Sequence, residues 1–153
     1  MTDLAYTLPL MKENVSSNES AWKNGDNQQE TIHCKECDWF QPPPINALFA
    51  QMNDSPEDSV CPDVILVADC VWLSHLIAPL LQTLQAYAKK SSTKVIITYQ
   101  QRGREAHEEF WKGIHDLFED VVDVDTESSV GLAKPDVFHV MECHVMKNSD
   151  LIN

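Results

Sequence analysis

Glycine is scarce in this sequence, and its four glycines (Gly25, Gly103, Gly113 and Gly131) are all isolated. A phosphate-cradling loop, a Gly-x-Ser-x-Gly nucleophile elbow and a dinucleotide fingerprint each need closely placed glycines. There the backbone must turn tightly or approach a ligand with no side chain in the way. None of the three is present, and with the last goes any distinct support for a nicotinamide-dependent oxidoreductase. Basic residues are also few: 11 Lys and Arg stand against 24 Asp and Glu, a formal net charge of -13. Such a surface repels phosphate backbones, so nucleic acid is not an expected partner. A basic protein partner or substrate suits it better, although acidity also serves solubility alone. No apolar run approaches the roughly 18 to 20 residues that span a bilayer, so no membrane association is expected. The N-terminus has no basic start followed by an apolar stretch, which argues against a secretory signal. The expected location is cytoplasmic, extending to the nucleus.

Cysteine is present in an odd number, five, at irregular spacing (Cys34, Cys37, Cys61, Cys70, Cys143). That argues against a disulfide framework and for a reducing compartment. Cys34-Lys35-Glu36-Cys37 has zinc-knuckle spacing but no second close pair to complete four ligands. Along the last strand His139 and Cys143 fall on one face and His144 on the other. His107-Glu108-Glu109 lacks the second His of a zincin helix. No metal is therefore expected.

The remaining pattern is that of an α/β protein. Leu8, Leu10, Met11 and Val15 suit a short helix that tolerates Pro9 only in its first turn. A polar loop follows over 16–29. Thr31-Ile32-His33-Cys34 reads as a short strand, then Pro42-Pro43-Pro44 forbids regular structure. A helical turn and the acidic loop Asn53–Asp58 come next. Val64-Ile65-Leu66-Val67-Ala68 is a continuous aliphatic run, as in a central parallel strand buried on both faces. Leu73, Leu76, Ile77, Leu80, Leu81, Leu84 and Tyr87 recur at helical spacing, ending at Ser91-Ser92. A second buried strand covers 95–99, and a helix over 104–118 has Phe110, Trp111, Ile114, Leu117 and Phe118 on its apolar side. A strand at 121–124, a loop at 128–136 and an alternating strand at 137–145 complete the chain. The alternation in the last suits an edge or antiparallel position. The order predicts a mostly parallel sheet with helices on both faces and a closing antiparallel hairpin. A single domain over 1–147 is expected, with a tail at 148–153.

Open parallel sheets bind ligands beyond the carboxyl ends of their strands. That rule selects Asp3, Asp38 and Trp39, then Ala68, Asp69, Cys70, Val71 and Trp72, then Tyr99, Gln100, Gln101 and Arg102. The residue types suit a nucleoside. A strand-end carboxylate accepts from both ribose hydroxyls, an aromatic ring covers an adenine face, and a second carboxylate accepts from the exocyclic amine. Each has a plainer reading: a strand-end Asp caps the next helix, Trp39 is core, Trp72 staples a helix to the sheet. His75 falls near the site mouth but reads first as a surface residue of its helix, and Arg102 and Arg104 read as contacts to a substrate or a carboxylate or equally well as solvated side chains.

The ordered set resembles the protein-lysine methyltransferases of the METTL21 type (methyltransferase family 16), within the seven-strand class I methyltransferases that use S-adenosylmethionine. Thr2-Asp3-Leu4 with Leu10–Val15 and Asn18 is similar to that family's second-strand acid and its N-x-x-x-N helix. Lys35–Trp39 resembles its L-x-W segment, Asp63–Trp72 its fourth strand and D-x-x-Y signature, and 95–110, with Arg102 and Arg104, its fifth strand and trailing Arg and Phe. The resemblance runs over about residues 2–145. It implies a Rossmann-like sheet and methyl transfer from S-adenosylmethionine to a protein side-chain nitrogen. It implies Asp3 at the ribose, Asp38 and Trp39 at the adenine, Ala68 beside the cofactor, and Asp69 and Trp72 at the target nitrogen. Two departures stand out. Trp72 occupies the place of a Tyr or Phe, and the family's first strand with its Gly-x-Gly-x-Gly turn is expected before Asp3 but is not found there. The expectation that follows is a sheet missing its first strand and a chain that is inactive or poorly folded. A non-catalytic acidic scaffold is the alternative.

Overall fold

The computed structural model describes residues 2–22, 31–49, 61–88, 93–124 and 138–146. The chain divides into two compact units, Met1–Ala50 and Gln51–Asn153.

In the first unit, β1 (Thr2–Asp3) pairs in parallel with β2 (Lys35–Glu36), placing Asp3 opposite Glu36. A single 3-10 turn over Ala5–Thr7 leads into α1 (Leu8–Ser17), with Pro9 in its first turn, where a missing N–H costs nothing. The helix does not give way to a loop at residue 16, as its polar sequence suggested. The Asn18 backbone N–H and side-chain amide both donate to the Asn14 carbonyl, the latter at 2.8 Å. Asn18 thus satisfies a carbonyl that the helix end would leave open, and α2 (Glu19–Trp22) follows at once. α3 (Ile45–Phe49) supplies the helical turn expected after the prolines. The strand predicted at 31–34 lies one step later, at 35–36. Strand position is set by the partner's backbone and not by β-branched side chains alone: Cys37 N–H donates to the Asp3 carbonyl at 2.9 Å, which fixes the register.

The second unit runs β3 (Val64–Ala68), α4 (Ser74–Tyr87), β4 (Lys94–Gln100), α5 (Arg104–Leu117), β5 (Phe118–Asp123) and β6 (Phe138–Met146). The sheet order is β3-β4-β6-β5. β3 and β4 are parallel, and β6 is antiparallel to both β4 and β5. Three strands thus run one way and one is reversed, the mixed Rossmann-like sheet that the element order implied. Two placements differ from expectation. β6 is antiparallel, as its alternation allowed, but sits inside the sheet between β4 and β5 and not at an edge. Its alternation arises because Met141 and Cys143 face the helices and are fully buried, while Glu142 on the other face meets Lys94 and His144 at 3.4 Å each. β3 lies at an edge of the described sheet and is not buried on both sides: Val64 is 49% exposed and Leu66 74%. The expected cover on both faces is likewise absent among the described residues of this unit. α4 and α5 lie side by side, so close that a Cβ on Gly113 would come 2.2 Å from Leu81 Cδ1. They bury Val67, Val95, Ile97, Tyr99, Met141 and Cys143, one face of the sheet.

That core is built from the periodic residues of the helices. Ile77, Leu80 and Leu84 of α4 and Ala106, Phe110 and Ile114 of α5 are buried. Phe118, expected on the helix, is instead the buried first residue of β5. Pro79 sits within α4; Thr83 Oγ1 donates to the Pro79 carbonyl at 2.9 Å. The acidic loop 53–58, Ser91-Ser92, the loop 128–136 and the tail 148–153 lie outside the described residues.

The covered face sets an alkaline limit on stability. Burial pushes the Cys143 thiol up to about 12. Burial, reinforced by the Asp123 charge, raises the Tyr99 phenol well above its ordinary range. In the unfolded chain both groups lose protons more readily than in the folded one, so unfolding releases protons at high pH. The stabilisation is fully present below the ordinary thiol value of 9.0 and is lost as pH rises towards 12. Each group then contributes a slope of about 1.4 kcal/mol per pH unit. Urea unfolding at a series of pH values should show this decline beginning near the thiol value, and Cys143→Ala should delay its onset to the phenol range.

Candidate functional site

Strand ends position the polar groups in each unit. In the first, the parallel pairing of β1 and β2 brings Asp3 and the Asp38-Trp39 pair to the same, carboxyl, end. Asp3 is exposed and its Oδ1 accepts the Leu4 N–H at 2.7 Å. Asp38 Oδ1 accepts the Phe40 N–H at 2.9 Å, a turn two residues long that the Gln41 N–H extends by donating to the Asp38 carbonyl at 3.1 Å. Such local bonds hold a short acidic side chain in one rotamer. Each carboxylate uses one oxygen on its own turn; neither accepts a further side-chain hydrogen bond among the described residues. Asp3 is not the cap of α1, whose N-cap is Thr7. Trp39 is half-buried and so is not plain core. Two carboxylates and an indole at one strand-end edge fit the ribose hydroxyls, exocyclic amine and ring face of an adenosine.

In the second unit the chain leaves β3 through Ala68 and Asp69. Ala68 pairs with Thr98 of β4, and the Asp69 N–H donates to the Thr98 carbonyl at 2.7 Å. Asp69 has φ 53°, the left-handed region that a side chain with Cβ enters at a cost and that Asp tolerates better than most. Beyond it Cys70 Sγ donates to the Ala68 carbonyl at 3.2 Å, Val71 anchors the turn in the core, and Trp72 is left 48% exposed. Half of Trp72 thus remains open to solvent. Arg102, following β4, forms an ion pair with the Asp69 carboxylate. The same stretch passes close to Trp72, for a Cβ on Gly103 would lie 3.8 Å from the Trp72 carbonyl oxygen. Arg104, by contrast, reaches Glu108 one helical turn on, at 2.7 Å and largely in solvent. His75 is exposed at the start of α4.

The structure thus brings Asp69, Trp72 and Arg102 together in one unit, and Asp3, Asp38 and Trp39 in the other. A carboxylate contact was one of the two readings of Arg102, but the sequence did not single out Asp69 as its partner. The signal was present in the adjacency of two parallel strands, whose following loops leave the sheet side by side. Tyr99 moves the other way. Although it was selected as a strand-end residue, it is 1% exposed beneath α5. There its hydroxyl lies 2.9 Å from His107 Nδ1, and its ring stacks on His139 at 5.0 Å and meets the Phe110 edge at 5.6 Å. It belongs to the core. Among the described residues no group of three or more potential ligands converges on a metal position. The five cysteines are thiols, with no disulfide among them. No described helix is long and apolar enough to cross a membrane.

A family model described as lysine methyltransferase matches residues 1–117, from β1 to the end of α5. Comparison with curated proteins gives no match.

Proposed function

The chain belongs to the lysine methyltransferase family, and from that premise we propose that it is an S-adenosylmethionine-dependent protein-lysine N-methyltransferase, of the METTL21 type, with residues 1–147 as one methyltransferase domain. The observation that carries this reading is the placement of acids and aromatics at strand carboxyl ends. Asp3 and Asp38-Trp39 share one such end, and Asp69 and Trp72 follow another.

When bound, the cofactor supplies a methyl group on a sulfonium, an electrophile that needs no Lewis acid. Asp3 would hold the ribose hydroxyls, Asp38 the exocyclic amine and Trp39 the adenine face, and Ala68 would leave room for the cofactor. Asp69 would accept an N–H bond from the acceptor amine and aim its lone pair. Trp72 would wall the amine's alkyl chain and exclude water. No residue need act as a strong base, because a lysine that arrives uncharged loses only one proton, to water, after its nitrogen has bonded to carbon. The rate then depends on holding the nucleophile in line. The surface charge of -13 favours a basic protein as acceptor and disfavours nucleic acid. The expected location is cytoplasmic and nuclear, in keeping with its cysteine usage.

A second reading, a non-catalytic acidic scaffold derived from such a domain, is favoured by one observation: the four glycines are isolated, so these residues contain no glycine-rich turn to cradle the cofactor's methionine end. Calorimetric titration with S-adenosylhomocysteine separates the two. The enzyme reading expects saturable binding, and the scaffold reading expects none.

A further inference from the structure

The acceptor side of the proposed methyltransferase site already holds a cation. The Arg102 guanidinium donates from Nη2 to Asp69 Oδ2. The pair is built by the fold. β3 and β4 run in register up to Ala68 and Thr98, so the residues that follow them emerge side by side. The bond from Asp69 N–H to the Thr98 carbonyl and the left-handed φ at Asp69 fix the backbone from which its carboxylate projects towards Arg102. Both side chains are about half exposed, so the pair is open to solutes. Neighbouring Arg104 is spent on Glu108, leaving Arg102 as the cation that follows β4 here among the described residues.

We propose that Arg102 is a positioning residue that neutralises Asp69, so that the site receives the acceptor amine uncharged and does not trap it as ammonium. This inference rests on the methyltransferase reading and deepens it. A lone carboxylate favours the charged form of a neighbouring amine and raises its pKa. An ammonium has no lone pair and cannot form the new C–N bond. A guanidinium on one carboxylate oxygen cancels much of that field and disfavours a second cation alongside. The other oxygen still accepts an N–H from a neutral amine. The lysine releases its extra proton to water before it reacts. Arginine suits the task because its charge persists at every relevant pH.

The test uses the whole chain and n-butylammonium as the probe, titrated while the backbone amide of Asp69 is followed by NMR. Arg102→Met should bind the probe about tenfold more tightly than wild type. Arg102→Gln, similar in polarity but uncharged, should do the same. Arg102→Lys, which keeps the charge, should bind as wild type does. Equal affinities across the four proteins would overturn the proposal. In the methylation reaction, Arg102→Met should move the rate profile towards alkaline pH by about one unit, with KM unchanged or lower. A profile superimposable on wild type would also overturn it. If wild type transfers no methyl group while Arg102→Met still binds the probe more tightly, the masking of Asp69 by Arg102 stands and the catalytic reading fails.

Discussion

Asp69→Ala is expected to lower methyl transfer to lysine by about a hundredfold, the usual effect of removing one preorganised polar group from a reacting centre. Affinity for S-adenosylhomocysteine should be unchanged. The argument combines position and backbone. Asp69 ends β3, takes φ 53° and is tied to Thr98, so its carboxylate is aimed by the sheet. Alanine removes the acceptor and also enters the left-handed region less willingly. Asp69→Asn separates these effects, because asparagine tolerates that conformation but leaves Arg102 without a counter-charge. It should keep the fold and lose most of the rate. Initial rates with labelled cofactor, and mass spectrometry of the acceptor lysine, give the measurement. Unimpaired transfer by either variant would remove Asp69 from the proposed chemistry.

Phe110→Ala should destabilise the second unit by about 3 to 5 kcal/mol, the largest stability effect expected of a single truncation here. Phe110 is fully buried where α5 meets the sheet, with its ring edge-on to Tyr99 at 5.6 Å. Truncation removes apolar area and leaves a cavity between two elements that regular backbone holds apart, so the gap cannot close cheaply. A domain has only about 5 to 15 kcal/mol of net stability, so the variant should unfold at much lower urea or be insoluble. A midpoint within experimental error of wild type would mean that α5 does not rest on β4 as described.

The parts of this fold that were legible are those where neighbouring residues carry the signal. The aliphatic runs of β3 and β4 and the helical spacing of Ile77, Leu80, Leu84, Phe110 and Ile114 report burial through local sequence, so the elements and their order could be read directly. Which strand neighbours which is a long-range fact. The alternation in β6 announced one polar and one apolar face, but gave no sign that the strand would insert between β4 and β5. The apolar run of β3 implied two covered faces, yet Leu66 is 74% exposed on a side that no described helix of its unit covers. The strand ends themselves were legible, and Asp3, Asp38, Asp69 and Trp72 do follow them. Strand-end position misjudged Tyr99, whose place one residue before the end of β4 gives the side chain to the core. It also left Arg102 open between a carboxylate contact and solvent, because the pairing with Asp69 depends on the β3-β4 register and not on spacing along the chain.

The account rests on an adenosine-bearing cofactor being held at the strand ends, and titration of the 153-residue chain with S-adenosylhomocysteine in a calorimeter tests that most directly. The methyltransferase account predicts saturable binding at one site, weakened about tenfold or more by Asp3→Ala through loss of charge-assisted bonds to the ribose. A folded chain that gives no binding heat, or one whose affinity is indifferent to Asp3, would contradict it and leave the acidic scaffold as the function.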